Sequence, residues 1–314
     1  MSDQITIKEL TAQEDTSRFW EELYAYFRRD MFPDDGSDPD REENLEYFLG
    51  AEYRAAIEGL HEREEDPLYY LAFLRRGTEV GFAMPVTYPS EDGKCFIMEF
   101  WVLPEFRGGT GRDCAAALLD WARGQGASYF ELNAEDEPRR RFWASLGFLP
   151  NGMDEWGKPC MLLPPEKLLP FTVKRLTDPE SWQLYKLENS FLAEIGEGPL
   201  TEEKKVGLSA AIREGKIAFF LAMRETRAVG MCSVSPCFST FACGEIGVFD
   251  DFYVEPLFRR QGAARLLAHA AQTWSRERGM ASLTVGCSAG DVEMYRALGF
   301  EVDLGIMLAC VAEE

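Results

Sequence analysis

The chain has 314 residues, 46% hydrophobic and 13% aromatic, enough for two packed domains and unlike a disordered or fibrous composition. Its 54 Asp and Glu against 33 Lys and Arg give a formal net charge of −21, a surface that repels nucleic acid and anionic membrane and attracts cationic small molecules. Two histidines, His61 and His269, are too few for a His-based metal site or a Ser-His-Asp triad, so no metal is expected.

The start, "MSDQITIKEL", lacks a basic segment followed by an apolar run, and no stretch approaches 18 uninterrupted apolar residues. A cytoplasmic protein without membrane contact is therefore expected. The eight cysteines show no CxxC pair. Cys232, Cys237 and Cys243 come closest to a cluster but fit no zinc template, so the cysteines read as small apolar core residues.

In chain order, "ITIKELT" at Ile5 opens with a short strand, followed by a helical region. "YLAFLRRGTEVGFAMPV" then alternates as two strands joined by a turn around Gly77. "IMEFWVLP" predicts a central strand stopped by Pro104, and a helix follows it. "RFWASLGF" closes the first half. The same order then returns as "FTVKRLT" at Phe171, "FLAMRETRAVGM" at Phe220, "DFYVEPLFRRQG" at Asp251 and "EMYRALGF" at Glu293. The period is about half the chain, which marks a duplicated domain rather than a solenoid. The expected division is residues 1–163, a Pro-rich linker at 164–170, and residues 171–314.

In the second half, "VFDDFYVEP" is a central strand stopped by Pro256. Leu266, Leu267, Ala270, Ala271 and Trp274 fall on one helical face, and Gly279 is the expected stop. "ASLTVG" at Ala281 predicts a buried strand, and "DVEMYRAL" a short helix ended by Gly299. Each half is thus expected to be an α/β (α+β) unit, a mixed sheet with helices on its faces.

Between Pro256 and the helix lies "LFRRQGAA". A helix start offers unpaired N–H groups and partial positive charge. Gly262, Ala263 and Ala264 let an anion approach the backbone, and Arg259 and Arg260 add charge beside it. This is a recipe for a phosphate or pyrophosphate site. It is neither a Walker loop nor a GxGxxG fingerprint.

Arg259-x-x-Gly262-x-Ala264, preceded by "FYVEP" and followed by a Leu/Ala helix and "YRALGF", resembles the GNAT superfamily of N-acetyltransferases. The resemblance covers most of both halves and implies two tandem GNAT (acyl-CoA N-acyltransferase) domains with acetyl-CoA as cosubstrate. It implies that Arg259, Arg260, Gln261, Gly262, Ala263 and Ala264 cradle the CoA pyrophosphate. Backbone groups of Phe252, Tyr253 and Val254 would hold the pantetheine arm and polarise the thioester carbonyl. Tyr295 would protonate the departing thiolate. Ser288 stands where the family often has an asparagine that contacts CoA. A carboxylate is needed to take the amine proton, and Asp250, Asp251 and Glu245 are candidates. Strand alternation puts Asp251 and Tyr253 on one face and Asp250 and Phe252 on the other.

The first half departs from this pattern. Pro104 and Pro256 are 152 residues apart, whereas Trp121 and Trp274 are 153 apart, so its loop lacks one residue. In the helix register Gly109 and Gly111 keep the small positions but Phe106 replaces Arg259. In the strand register Arg107 survives but Thr110 and Arg112 replace Gly262 and Ala264. Trp143 stands at the position of Tyr295, and an indole cannot supply a proton as a phenol does. The first half is therefore expected to be silent and the second active. The expected reaction is acetyl transfer to a primary amine of a small molecule. A protein N-terminus or lysine is an alternative acceptor, and a non-catalytic CoA-binding regulator an alternative function.

Overall fold

The computed structural model describes residues 4–305, apart from 37, 92 and 166–169. Four residues of the linker expected at 164–170 thus lie outside the described residues, as do residues 306–314. The chain divides into two compact units. One holds the chain up to Leu149 together with the stretch beginning at Met161. The other holds Pro150–Cys160 together with the second half of the chain.

The first unit carries β1 (Ile5–Glu9), α1 (Gln13–Tyr26), α2 (Arg41–Phe48), α3 (Ala51–His61), β2 (Leu71–Arg75), β3 (Thr78–Tyr88), β4 (Lys94–Val102), α4 (Thr110–Gly124), β5 (Tyr129–Asn133) and α5 (Glu137–Ala144). A hairpin follows, β6 (Leu149–Met153) and β7 (Pro159–Leu163), of which Leu149 and Met161–Leu163 belong to this unit and Pro150–Cys160 to the other. The sheet order is β1-β2-β3-β4-β5-β7-β6. Neighbours from β1 to β4 are antiparallel and β4–β5 is parallel, the mixed sheet expected from the sequence. The β2–β3 turn rests on Arg76 and Gly77, both at positive φ (52° and 84°), the backbone a two-residue hairpin needs.

Both faces of this sheet are covered, so its strands read as nearly continuous apolar runs. Leu71 and Phe73 enter one core with Leu118, Phe130 and Trp143. Tyr70 and Ala72, one residue out of phase, enter the other with Phe19, Trp20, Tyr53 and Trp101.

The second unit carries β8 (Thr172–Arg175), α6 (Trp182–Glu194), α7 (Glu202–Arg213), β9 (Ala218–Arg224), β10 (Arg227–Ser239), β11 (Gly244–Val254), α8 (Ala263–Glu277), β12 (Leu283–Val285) and α9 (Val292–Ala297). Its sheet order is β12-β11-β10-β9-β8, with only β11–β12 parallel. Leu184 and Leu187 of α6 pack on Leu221, Met231 and Tyr253. On α8 the buried face is Ala263, Leu267, Ala268, Ala271 and Ser275. The stripe expected from the sequence is therefore rotated, and Leu266 is 41% exposed. Gly279 stops the helix as expected, at φ 78° with its N–H on Arg276 O. β12 is shorter and only half-buried, not the buried strand expected over Ala281–Gly286. Cys95, Cys114, Cys160 and Cys232 are buried, but Cys237, Cys243 and Cys287 are exposed and do not fill a core.

Polar contacts hold Pro150–Cys160 within the second unit. Glu255, at the end of β11, is fully buried. Its carboxylate takes Arg227 Nη2 at 2.8 and 3.1 Å, Lys186 Nζ at 3.4 Å and Asn151 Nδ2 at 3.0 Å. Met153 N donates to Ser190 Oγ at 2.8 Å, and Asn189 Nδ2 to Asp154 O at 3.2 Å.

Candidate active site

β11 is irregular where its sequence is most polar. Met231 pairs Tyr253 and Ser233 pairs Asp250, so Asp251 and Phe252 together oppose Cys232. This is a β-bulge, and Asp251 sits at φ 49°, a left-handed backbone that costs a non-glycine residue energy. The strand is also unpaired on its other side. β12 pairs only Gly247–Phe249 of β11, so among the described residues the stretch from Asp250 to Val254 has no strand partner there. Within this stretch Val254 O accepts from Arg259 Nε at 2.8 Å and Asp251 N donates to Asp250 Oδ1 at 3.0 Å.

The bulge aims its side chains in two directions. Tyr253 turns to α6, where its buried phenol is bonded to Ser190, with a pKa raised chiefly by burial. Asp251 is half-buried, accepts from Ser233 Oγ at 2.6 Å, and has a pKa raised by burial and by Asp250 against the lowering pull of that hydroxyl. Asp250 is exposed and takes the Asp251 N–H at 3.0 Å. Phe252 turns to α9 and meets Phe249 (5.2 Å between centroids) and Tyr295 (6.0 Å). Glu245 leaves the set of candidate bases. It holds Arg278 at 2.6 and 3.0 Å, which lowers its pKa, and it lies six residues back along β11, roughly 20 Å from the bulge at strand rise.

Tyr295 is half-buried among Phe249, Phe252 and Phe300 at 6.4, 6.0 and 5.9 Å. Burial first, then Asp291, Cys287, Asp250 and Cys232, push its pKa up to about 12. The phenol therefore keeps its proton at neutral pH. Ser288 gives its hydroxyl to Asp291 at 2.6 Å, in the turn before α9.

Past Pro256 the chain makes one tight turn and enters the loop before α8. Arg260 (φ 59°) and Gly262 (φ 102°) both take positive φ, and α8 begins at Ala263 with no side-chain cap on its first turn. Apart from Gly262 and its two chain neighbours, no atom of the described residues lies within 4 Å of where a Gly262 Cβ would sit. Arg260 is exposed, Ala263 buried and Ala264 half-buried. Arg259 departs from the expected role. Its Nε donates to Val254 O at 2.8 Å, its guanidinium pairs with Glu194 and lies over the Tyr253 ring at 5.5 Å. It braces the loop instead of lining the cradle. Gln261 likewise returns its amide to Leu257 O at 2.7 Å.

A protein-family model described as the acetyltransferase (GNAT) family matches residues 20–148 and again 181–300. The chain belongs to the GNAT acetyltransferase family. It is an acyltransferase with two GNAT units in tandem. No curated protein matches the chain. Solved structures similar to it include an aminoglycoside acetyltransferase from an uncultured soil metagenomic sample in complex with sisomicin (17% identity, 46% of this chain, 97% of that one, TM-score 0.41). Glucosamine-6-phosphate N-acetyltransferase from Arabidopsis thaliana is another (17%, 46% and 100%, TM-score 0.40). A third is a predicted acetyltransferase from Clostridium acetobutylicum with acetyl-CoA (16%, 45% and 96%, TM-score 0.39).

The first GNAT unit settles the register of its own loop in a way neither expected alignment allowed. Arg107 Nε donates to Val102 O at 3.1 Å, as Arg259 does to Val254, so the strand register holds through this arginine. Its partner is Asp30 at 2.6 Å, where Arg259 has Glu194. Gly108 (φ 100°) matches Arg260, but Gly109 (φ 129°) already matches Gly262, one residue later in register. The missing residue is the counterpart of Gln261. Arg107, Gly109 and Gly111 thus all keep their places, and neither Phe106 nor Arg112 takes one. With Val102, Gly108, Phe142 and Arg112 they line a hollow of about 270 Å³. The chemistry differs further in. Trp143 packs on Phe100 (5.2 Å) and Phe148 (5.1 Å) where Tyr295 packs on Phe252 and Phe300. Glu99, at the position of Asp251, is buried and bonded by the Tyr26 phenol.

Sequence reading misses Glu188 on α6. It is 6% exposed, its Oε1 is buried without a hydrogen-bond partner, and burial, Asp251 and Asp250 push its pKa up to about 9. The signal is present in the stripe Leu184, Leu187, Glu188, Phe191, a carboxyl at an apolar position of the helix. Between its unfolded pKa, about 4.3, and about 9, the folded protein holds a proton that the unfolded chain releases. Stability conferred by that proton is full below the unfolded value and is lost as pH rises through the folded one, at up to about 1.4 kcal/mol per unit. Glu188→Gln is therefore expected to raise the melting temperature, by an amount that grows with pH across this window. Parallel melting profiles of the two proteins would show an ionised Glu188 in the folded state.

Proposed function

We propose that the chain moves an acetyl group from acetyl-CoA to a primary amine of a small molecule, and that the second GNAT unit does the chemistry. The observation carrying this reading is one bulge that holds a recessed carboxyl, Asp251, and, on its next residue Phe252, the ring contact with a phenol held protonated, Tyr295, on the strand that leads into the uncapped α8. The residues present fit the cosubstrate. Gly262 leaves open space where a side chain would stand, the first N–H groups of α8 are uncapped, and Arg260 adds charge. Gly262, Ala263 and Ala264 would hold the pyrophosphate. The unpaired edge of Phe252, Tyr253 and Val254 would hold the pantetheine arm. Asp251 takes a proton from the amine, and Tyr295 supplies one to the leaving sulfur.

The first unit keeps an anion cradle, but Trp143 replaces the phenol, and its carboxyl, Glu99, is buried and bonded by the Tyr26 phenol. Calorimetric titration of acetyl-CoA into the wild-type chain and into Gly262→Glu tests the reading. A carboxylate at the start of α8 opposes an anion, and Gly262 is at positive φ. The expected result is that the variant loses the site required for turnover. Full activity in Gly262→Glu would move the chemistry to the first unit, and no binding by either protein would end the transferase reading.

A further inference from the structure

Across the α6–β11 contact the buried Glu188 lies near enough to Asp251 and Asp250 for their charges to act on it, and none of the three carboxyls has an ion-pair partner among the described residues. Glu188 comes from α6 and Asp251 from the bulge, with Asp250 beside it. Asp251 has a single hydroxyl partner, Ser233 of β10, and Glu188 Oε1 has none. The cations on the neighbouring elements are engaged elsewhere. Lys186 of α6 and Arg227 of β10 pair with Glu255, and Arg259 pairs with Glu194. A buried and a half-buried carboxyl in this arrangement cannot both ionise cheaply, so at neutral pH they retain a proton. A packed acid that served only the core would have its oxygens bonded. The partner that Glu188 Oε1 lacks is a hydrogen-bond donor, and a primary ammonium is one that could reach both carboxyls.

Resting on the acetyl-transfer reading of the second unit, we propose that Glu188 and Asp251 form a paired-carboxyl seat for the acceptor's ammonium group, Glu188 giving up its proton as the amine enters. The proton balance supports a pair. A primary ammonium carries three N–H protons and the product amide keeps one. One proton leaves before the nitrogen can attack, and a second leaves as the C–N bond forms and the C–S bond breaks. Glu188 and Asp251, both ionised once the ammonium is seated, accept these two. Tyr295 gives its proton to the thiolate and regains one from solvent. Overall, ammonium and acetyl thioester yield amide, thiol and one proton.

The test is carbon-13 NMR of the full chain labelled at glutamate side-chain carboxyls, the Glu188 resonance being assigned by its loss in Glu188→Gln. Glu188→Asp serves the same assignment if the first variant does not fold. Three results are expected. Glu188 is protonated at neutral pH, unlike the exposed glutamates. Asp251→Asn lowers its titration midpoint by about one pH unit or more. Methylammonium chloride moves it to the carboxylate position, and sodium chloride at equal concentration does not. An ionised Glu188 in the free protein, a midpoint unmoved by Asp251→Asn, or no response to methylammonium would each overturn the seat. The response needs no acetyl-CoA, so it is expected to persist in Gly262→Glu. The seat and the transferase reading therefore fail separately.

Discussion

Tyr295→Phe is expected to lower turnover by roughly 10²–10⁴-fold while leaving acetyl-CoA affinity unchanged. The substitution removes one oxygen and keeps the ring, so the contacts with Phe249, Phe252 and Phe300 survive. What is lost is a proton held on a phenol whose pKa stands near 12. Because that phenol remains protonated throughout the working range, a fall in rate on the alkaline side would belong to another group. Trp143→Phe, the matching change in the first unit, is expected to leave turnover intact. The measurement is steady-state kinetics with the amine found by an acceptor screen, following release of free thiol. An unchanged kcat in Tyr295→Phe would make Tyr295 a packing aromatic and remove it from the mechanism.

Glu255→Gln is expected to destabilise the second unit by about 3–5 kcal/mol. The carboxylate is fully buried and faces two cations, Lys186 and Arg227, each almost completely buried itself. Neutralising it leaves both cations without the charge that offsets their desolvation, and an amide cannot match the hydrogen bonds it made. The same residue anchors the turn into the α8 loop, since Phe258 N donates to its carbonyl at 2.9 Å. Urea denaturation followed by circular dichroism would read the loss as a lower midpoint. A midpoint within error of wild type would show that solvent reaches the cluster.

The duplicated plan was legible because strong local signals punctuate it: the Arg76–Gly77 turn in the first half, the prolines that end β4 and β11, and glycines past α5, α8 and α9. The neighbourhood of Tyr295 was legible for the same reason. The bulge at Asp251 was not, because it arises from how two strands pair, and alternation counted along one strand assumes its absence. The partner of Arg259 lies 65 residues away on α6, a distance no motif spans. The loop of the first unit defeated both alignments since each slid the whole segment rigidly, whereas the chain drops one residue between Gly108 and Gly109. Glu188 did leave a trace, a charge inside an apolar stripe. Its meaning depended on which residues α6 meets on β11.

The grouping of Pro150–Cys160 with the second unit changes where the chain can be cut. A fragment begun at the apparent halfway point, just after the prolines at 164–165, would lack Asn151 and so one of the donors to Glu255. It would also lose Met153 and Asp154, which bond to Ser190 and Asn189 on the helix that carries Glu188. Separate expression of the second unit therefore calls for a start before Pro150. The two copies of the fold are then unequal inheritances: the later one has taken over a stretch of chain that the repeat pattern assigns to the earlier.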